Sequence, residues 1–222
     1  MRRRKYYVVL DTETANGLDE PLCYDVGFAI VDRNGKVYET YSFVVKEIFE
    51  DTSLMTSAYY ARKIPRYLNE IASGERKLTT FYKVRKTLID CLEKYNIKIA
   101  MAHNAMFDLR ALNTTQRWLT KSKYRYFFPY GLEIWDTLKM SREILNDNKF
   151  YNIFCNKHNY LIPHSQQKRF TAEVLYQFIT NNTDFSESHT GLEDVLIEKE
   201  IFALCMWANP AIDGILWERK TA

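Results

Sequence analysis

Tyr6-Tyr7-Val8-Val9-Leu10-Asp11-Thr12-Glu13-Thr14-Ala15 is the stretch on which the reading of this chain turns. It begins as a short apolar run rich in Val and Tyr, the composition of a buried strand. It then places two carboxylates, Asp11 and Glu13, at i and i+2. On an extended backbone alternate side chains share a face, so both point the same way. Two like charges held so close repel. Such a pair persists when a cation sits between them or when one carboxyl keeps a proton. A bare D-x-E is common by chance, so its meaning depends on partners further along the chain.

The totals bound the search. The chain has 222 residues, 46% hydrophobic and 27% charged, enough for one α/β domain over residues 1–222 with a core at about 5–207. No apolar run reaches the roughly 18 residues of a membrane span. The basic start, residues 1–5, precedes an apolar stretch that stops at Asp11, shorter than the about 7–15 residues of a signal-peptide core. A cytoplasmic protein is expected. Net charge is +3. Basic residues gather at 2–5, 62–66, 76–86, 117–125 and 157–169, interleaved with Tyr59, Tyr60, Tyr67, Tyr82, Tyr124, Tyr126, Phe127 and Phe128. Basic plus aromatic segments suit single-stranded nucleic acid, although ordinary surface and core account for the same composition. Cys23, Cys91, Cys155 and Cys205 are widely spaced without a C-x-x-C, which argues against a disulfide framework or a four-cysteine zinc site. The group Cys155, His158 and His164 fits no zinc spacing.

Taken in order, the chain predicts a strand at 25–31 and another at 36–45, joined by Asn34-Gly35 as an antiparallel hairpin. Residues 46–78 read as a helix over 47–60 and a second over 62–72 broken by Pro65. An amphipathic helix is expected over 79–95, a strand over 97–102, and a helix from His103 to about 118. A strand at 133–137 follows, then helices at 138–145, 150–158, 167–180 and 192–207.

Three partners for the opening pair emerge. Asp108 starts the helix after the 97–102 strand. Asp194 lies in the first turn of the last long helix, where the helix dipole favours a carboxylate. His189 stands five residues before Asp194. Converging carboxylates with oxygen-only donors select Mg²⁺ or Mn²⁺. Two such ions about 4 Å apart form the usual clamp for attack on a phosphodiester. A histidine that is neutral near pH 7 can take the proton from the attacking water. No Gly-rich phosphate loop accompanies them.

D-x-E at 11–13, His103-Asn104-Ala105-Met106-Phe107-Asp108 and the H-x-x-x-x-D of His189 and Asp194 resemble, in order and spacing, the three motifs of the DnaQ-like (DEDDh) 3′–5′ exonuclease family. The segments 135–138 and 169–173 resemble further family segments. The resemblance implies an RNase H-like fold, a five-stranded mixed sheet with strand two antiparallel, flanked by helices. It implies that Asp11, Glu13, Asp108 and Asp194 hold two divalent ions, Mg²⁺ or Mn²⁺, and that His189 is the general base, with Glu13 also serving catalysis. It places the backbone of Thr14 and Ala15 at the terminal 3′-hydroxyl, and Phe107 and Leu18 against the last base. Asn104 is assigned either to substrate or to packing or backbone hydrogen bonding. The chain departs from the family's D-x-E-T-T-G: an inserted-looking Asn16 moves the glycine to 17. Asp136 is expected to be structural, as are His103, His158 and His164.

The expected function is removal of mononucleotides from single-stranded or unpaired 3′ ends, with DNA ahead of RNA. Alternatives are an RNA-trimming enzyme resembling RNase T or an oligoribonuclease, a proofreading subunit acting with a polymerase, and a nucleic-acid-binding module without activity. Little sequence follows residue 207 to tether a polymerase.

Overall fold

In a computed structural model of the chain, residues 4–121 and 125–216 are described. Arg2, Arg3, Lys123 and Tyr124, counted above among the basic and aromatic clusters, lie outside them.

The elements run β1 (Tyr6–Ala15), β2 (Leu22–Asp32), β3 (Val37–Val45), α1 (Lys46–Phe49), α2 (Thr52–Thr56), α3 (Ile64–Ser73), β4 (Lys77–Thr79), α4 (Phe81–Lys94), β5 (Ile99–Ala102), α5 (Ala105–Leu119), β6 (Glu133–Asp136), α6 (Thr137–Leu145), α7 (Lys149–Lys157), α8 (Ala172–Thr180) and α9 (Gly191–Ala208). The sheet order is β4-β3-β2-β1-β5-β6. β2 is antiparallel to β1 and β3, whereas β5 is parallel to both β1 and β6. This is the expected mixed α/β sheet with six strands rather than five. The sixth, β4, is a three-residue parallel edge strand against β3.

The hairpin forms at Asn34-Gly35. Asp32 Oδ1 accepts from the backbone N–H of Asn34 at 2.9 Å, and Gly35 has φ +74°. Three of the other expectations are corrected. The 47–60 helix breaks into α1 and α2, because Asp51 caps the second by accepting from Leu54 N. Pro65 does not break a helix. It sits in the first turn of α3, where its missing N–H costs nothing. The 167–180 helix begins only at Ala172, capped by Thr171, because Lys168 is drawn into a bridge with Leu161.

β1 separates two cores. Val8 and Leu10 pack on one side with α4 and α5 residues such as Leu88 and Leu112. Tyr7 and Val9 pack on the other with Ile201, Phe202 and Cys205 of α9. The same period of two sends Asp11 and Glu13 toward the α9 side and Thr12 toward α5. The β1–β2 register shifts between Glu13 and Thr14, a bulge at the carboxylate end of the strand. Among the described residues, no helix is long and apolar enough to cross a membrane.

Candidate active site

The end of β1 opens into a groove of about 1570 Å³. Asp11, Glu13, Asn104, Phe107, Asp108, His189 and Asp194 all line it. Thr14, Ala15 and Leu18 are not among its lining residues. Ala15 is buried in the core, and Leu18 is 72% exposed on the turn after β1.

Asp11, Glu13 and Asp194 offer carboxylate oxygens that all lie within 4.8 Å of one another. Glu187, His189 and Asp194 form a second such group, so Asp194 belongs to both. Asp108 joins neither. Its Oδ1 accepts from Thr12 N at 3.0 Å and from Thr12 Oγ1 at 2.8 Å, which ties α5 to the back of β1. Asp11 Oδ2 and Asp194 Oδ1 are buried without a hydrogen-bond partner. Buried acceptors are almost always paired, so unpaired ones at the mouth of a groove call for a donor or a cation.

Burial raises the carboxyls of Asp11, Glu13, Asp108 and Asp194. Asp11 lies well above its ordinary value, through desolvation and then the charges of Asp108, Glu198, Asp194 and Glu13. Glu13 is pushed up to about 9 by burial and then by Asp25 and Asp194. Asp194 rises to about 8, through burial and Glu187, and Asp108 to about 7, through burial. Each shift is the penalty of packing like charges together away from water. A divalent cation removes that penalty. The donor set, carboxylate oxygens with one imidazole, suits a hard ion such as Mg²⁺ or Mn²⁺.

His189 is held by contacts that motif spacing did not foretell. Its backbone is left-handed, φ +51°. Lys63 Nζ donates to the carbonyls of Ser188 and, at 2.8 Å, His189. The Tyr60 ring stacks on the imidazole at 4.7 Å and 12°, and Lys63 Nζ lies 4.0 Å over Tyr60. Burial and the Lys63 charge lower the imidazole's pKa, so it is neutral at pH 7. With a side chain 39% exposed, it remains open to the groove.

Beneath the loop, Asp25 Oδ2 accepts from Gly191 N at 3.0 Å, Tyr67 Oη at 2.6 Å and Arg76 Nη1 at 2.9 Å. Gly191 packs directly on Gly27 of β2: a Cβ at Gly27 would meet Gly191 C at 2.2 Å. That contact sets α9, and with it Asp194, against the sheet. Asp136 caps α6 and accepts from Asn104 N, so Asn104's backbone is bound locally while the residue lines the groove. His103 also lines the groove, its ring nitrogens bonded to Thr137 Oγ1 and the Phe170 carbonyl. His158 stacks on Tyr160 and packs at a tilt against Phe154, and His164 is exposed.

No protein-family model and no curated protein matches the sequence. Solved structures do match. Escherichia coli exonuclease I bound to single-stranded DNA, in a zinc-bound form, aligns at TM-score 0.57 and 14% identity over 94% of this chain and 42% of that one. The two chains share an RNase H-like mixed α/β fold. Methylocaldum szegediense exonuclease I aligns at TM-score 0.55 and 14% identity, over 93% of this chain and 41% of that one. Schizosaccharomyces pombe Pop2p, with Mg²⁺ and Mn²⁺ bound, aligns at 0.52 and 14% identity, over 93% of this chain and 86% of its own. The chain therefore spans about two-fifths of the length of the exonuclease I chains.

Proposed function

We propose that this chain is a metal-dependent 3′–5′ exonuclease that hydrolyses phosphodiester bonds at single-stranded or unpaired 3′ ends, DNA by preference, and releases nucleoside monophosphates. The observation that carries this is the meeting of unpaired, buried carboxylate oxygens from β1 and α9 beside a neutral imidazole at an open groove. The fold shared with exonuclease I bound to single-stranded DNA supports it.

Asp11, Glu13 and Asp194 would hold the divalent ions, Mg²⁺ or Mn²⁺, and Asp108 would brace β1 while facing the same groove. Two such ions lower the pKa of an attacking water and stabilise the leaving oxygen. The protein supplies the rest. His189 accepts the water's proton, and Tyr60 and Lys63 keep its ring and loop in place. Phe107 and Asn104 offer an apolar face and an amide to the terminal nucleotide. Thr14 and Ala15, the last residues of β1, and Leu18, on the turn after it, would lie beside the terminal nucleotide in this reading. Work alongside a polymerase would use the same groove.

The test is digestion of 5′-labelled single-stranded DNA and RNA with Mn²⁺, Mg²⁺ or EDTA. The expected result is a ladder shortening from the 3′ end, lost in EDTA and in Asp11→Ala. Faster shortening of RNA would make the chain an RNA-trimming enzyme. Cutting of circular single strands would make it an endonuclease. Undiminished activity of Asp11→Ala would refute the metal assignment.

A further inference from the structure

Glu198 lies four residues after Asp194 on α9, one helical turn further along the same face. The buried positions of α9 include Val195, Ile201, Phe202 and Cys205, which are apolar core, with Asp194 and Glu198 the two acids among them. Glu198 is 3% exposed, yet it lines the groove beside Asp11, Asp108 and Asp194. Its carboxylate takes the His103 backbone N–H, and Oε2 is buried with no partner. The charged groups that act on it include Asp108, Asp194, Glu187 and Asp11, all acidic. Asp194 Oδ1, also buried and unpaired, borders the same space.

A structural glutamate in a core has a cationic or multiply hydrogen-bonded partner, because a lone buried carboxylate is expensive. Glu198 has one backbone donor and a ring of like charges. Residue size does not explain its place, since the helix supplies leucine and isoleucine at neighbouring positions. What the surroundings do supply is the mouth of a site already rich in unpaired oxygens.

We propose that Glu198 is a further carboxylate of the metal site, placing its charge on the cation held by Asp11 and Asp194, by direct ligation or through one water, and so raising the affinity of the site. The inference rests on the metal-dependent reading above and extends the acidic set beyond the four motif carboxylates. Affinity for hard divalent ions rises with the number of carboxylates around them, and loss of a supporting group typically costs about 10- to 100-fold in metal affinity.

The experiment is calorimetric titration of the full chain with Mn²⁺, paired with thermal melts in EDTA and in Mn²⁺. Wild type is compared with Glu198→Gln, Glu198→Asp and Asp194→Asn. Glu198→Gln keeps shape and removes charge. It should bind Mn²⁺ about 10- to 100-fold more weakly, melt higher than wild type in EDTA, and gain less from Mn²⁺. Glu198→Asp keeps the charge but retracts it by one methylene, so its affinity should fall between the two. If Glu198→Gln is unfolded by circular dichroism, Glu198→Asp decides: wild-type affinity in that variant overturns the proposal. Wild-type Mn²⁺ affinity in a folded Glu198→Gln, with binding lost in Asp194→Asn, overturns the role of Glu198 and leaves the nuclease reading standing. A wild-type chain that binds no Mn²⁺ overturns both.

Discussion

The site is built from two limbs of unlike character. One is the end of β1, where Asp11 and Glu13 sit on a ten-residue strand paired along its length with β2 and, at Val8 and Val9, with β5. The other is the Ser188–Gly191 loop with the start of α9. It carries His189 and Asp194 and is fastened by residues far away in sequence: Lys63, Tyr60, Asp25 and Gly27. The first limb is stiff because its own ladder holds it. The second is placed only when the whole domain has folded. Carboxylate geometry is thus a property of the sheet, and the position of His189 is a property of tertiary packing.

The largest way to break this contrast is Gly27→Ala. The added Cβ would stand 2.2 Å from Gly191 C and Leu192 N, which are backbone atoms and cannot turn aside. Displacing α9 at its first turn should cost about 3 kcal/mol, roughly 6–12 °C in melting temperature. Nuclease activity should fall at least 100-fold as Asp194 and His189 leave register, a loss of about 2.7 kcal/mol in barrier terms. Gly74→Ala is the comparison, a left-handed C-cap at φ +85° with open space around it. It should cost about 1 kcal/mol and leave activity alone. Equal effects of the two substitutions would mean that the α9 limb tolerates movement.

The two limbs also differed in how far sequence could disclose them. Asp11 and Glu13 were legible because a strand's period is local, and Asp108, His189 and Asp194 because motif order is. Glu198 left a partial signal, an acid on a stripe otherwise filled by Val195, Ile201 and Phe202. Nothing local marked Lys63 or Tyr60, whose contacts to the His189 loop cross well over a hundred residues. Gly27 and Gly191 were plain glycines until their backbones were seen to touch. β4 escaped because three residues with a charged first position carry no period. The Asp51 cap shows how a single side chain overrides a long apolar pattern.

What the two limbs share is charge, since Glu13 on β1 and Asp194 on α9 both carry raised carboxyls. In EDTA, Glu13, Asp194, Asp108 and Glu187 have folded-state pKa values of about 9, about 8, about 7 and about 7, against roughly 4 in an unfolded chain. Between these limits the folded state binds more protons than the unfolded one. Stability should therefore fall as pH rises from about 5 to 9, by up to about 1.4 kcal/mol per unit for each proton involved. Carboxyls with depressed values lose their contribution elsewhere: Glu39, lowered to about 2 by its bond to Lys94 and by its tyrosine partners, weakens only on further acidification. Melting curves across this range in EDTA and in Mn²⁺ would check it. Mn²⁺ binds the deprotonated site and should flatten or invert the slope. A flat profile in EDTA would show that the carboxylates are better solvated than their burial implies.

The smallest expected effect tests whether the tether acts on His189 alone. Lys63→Met keeps an aliphatic stem against Tyr60 but removes the donors to Ser188 and His189 and the positive charge beside the ring. Stability should change by about 1 kcal/mol or less, as for a partly exposed hydrogen bond. After burial, Lys63 is the main group that lowers the His189 pKa. Without it that pKa rises, and the imidazole becomes protonated at a higher pH. The acid limb of the kcat profile should move upward, with kcat at pH 7 about tenfold lower, within the range of a misplaced general base. KM should change little, because β1 and its carboxylates are untouched. A rise in KM with an unmoved acid limb would reverse the assignment: Lys63 would then be gripping the nucleic-acid backbone, and the loop would hold His189 in place through Tyr60, Asp25 and Gly27 without it.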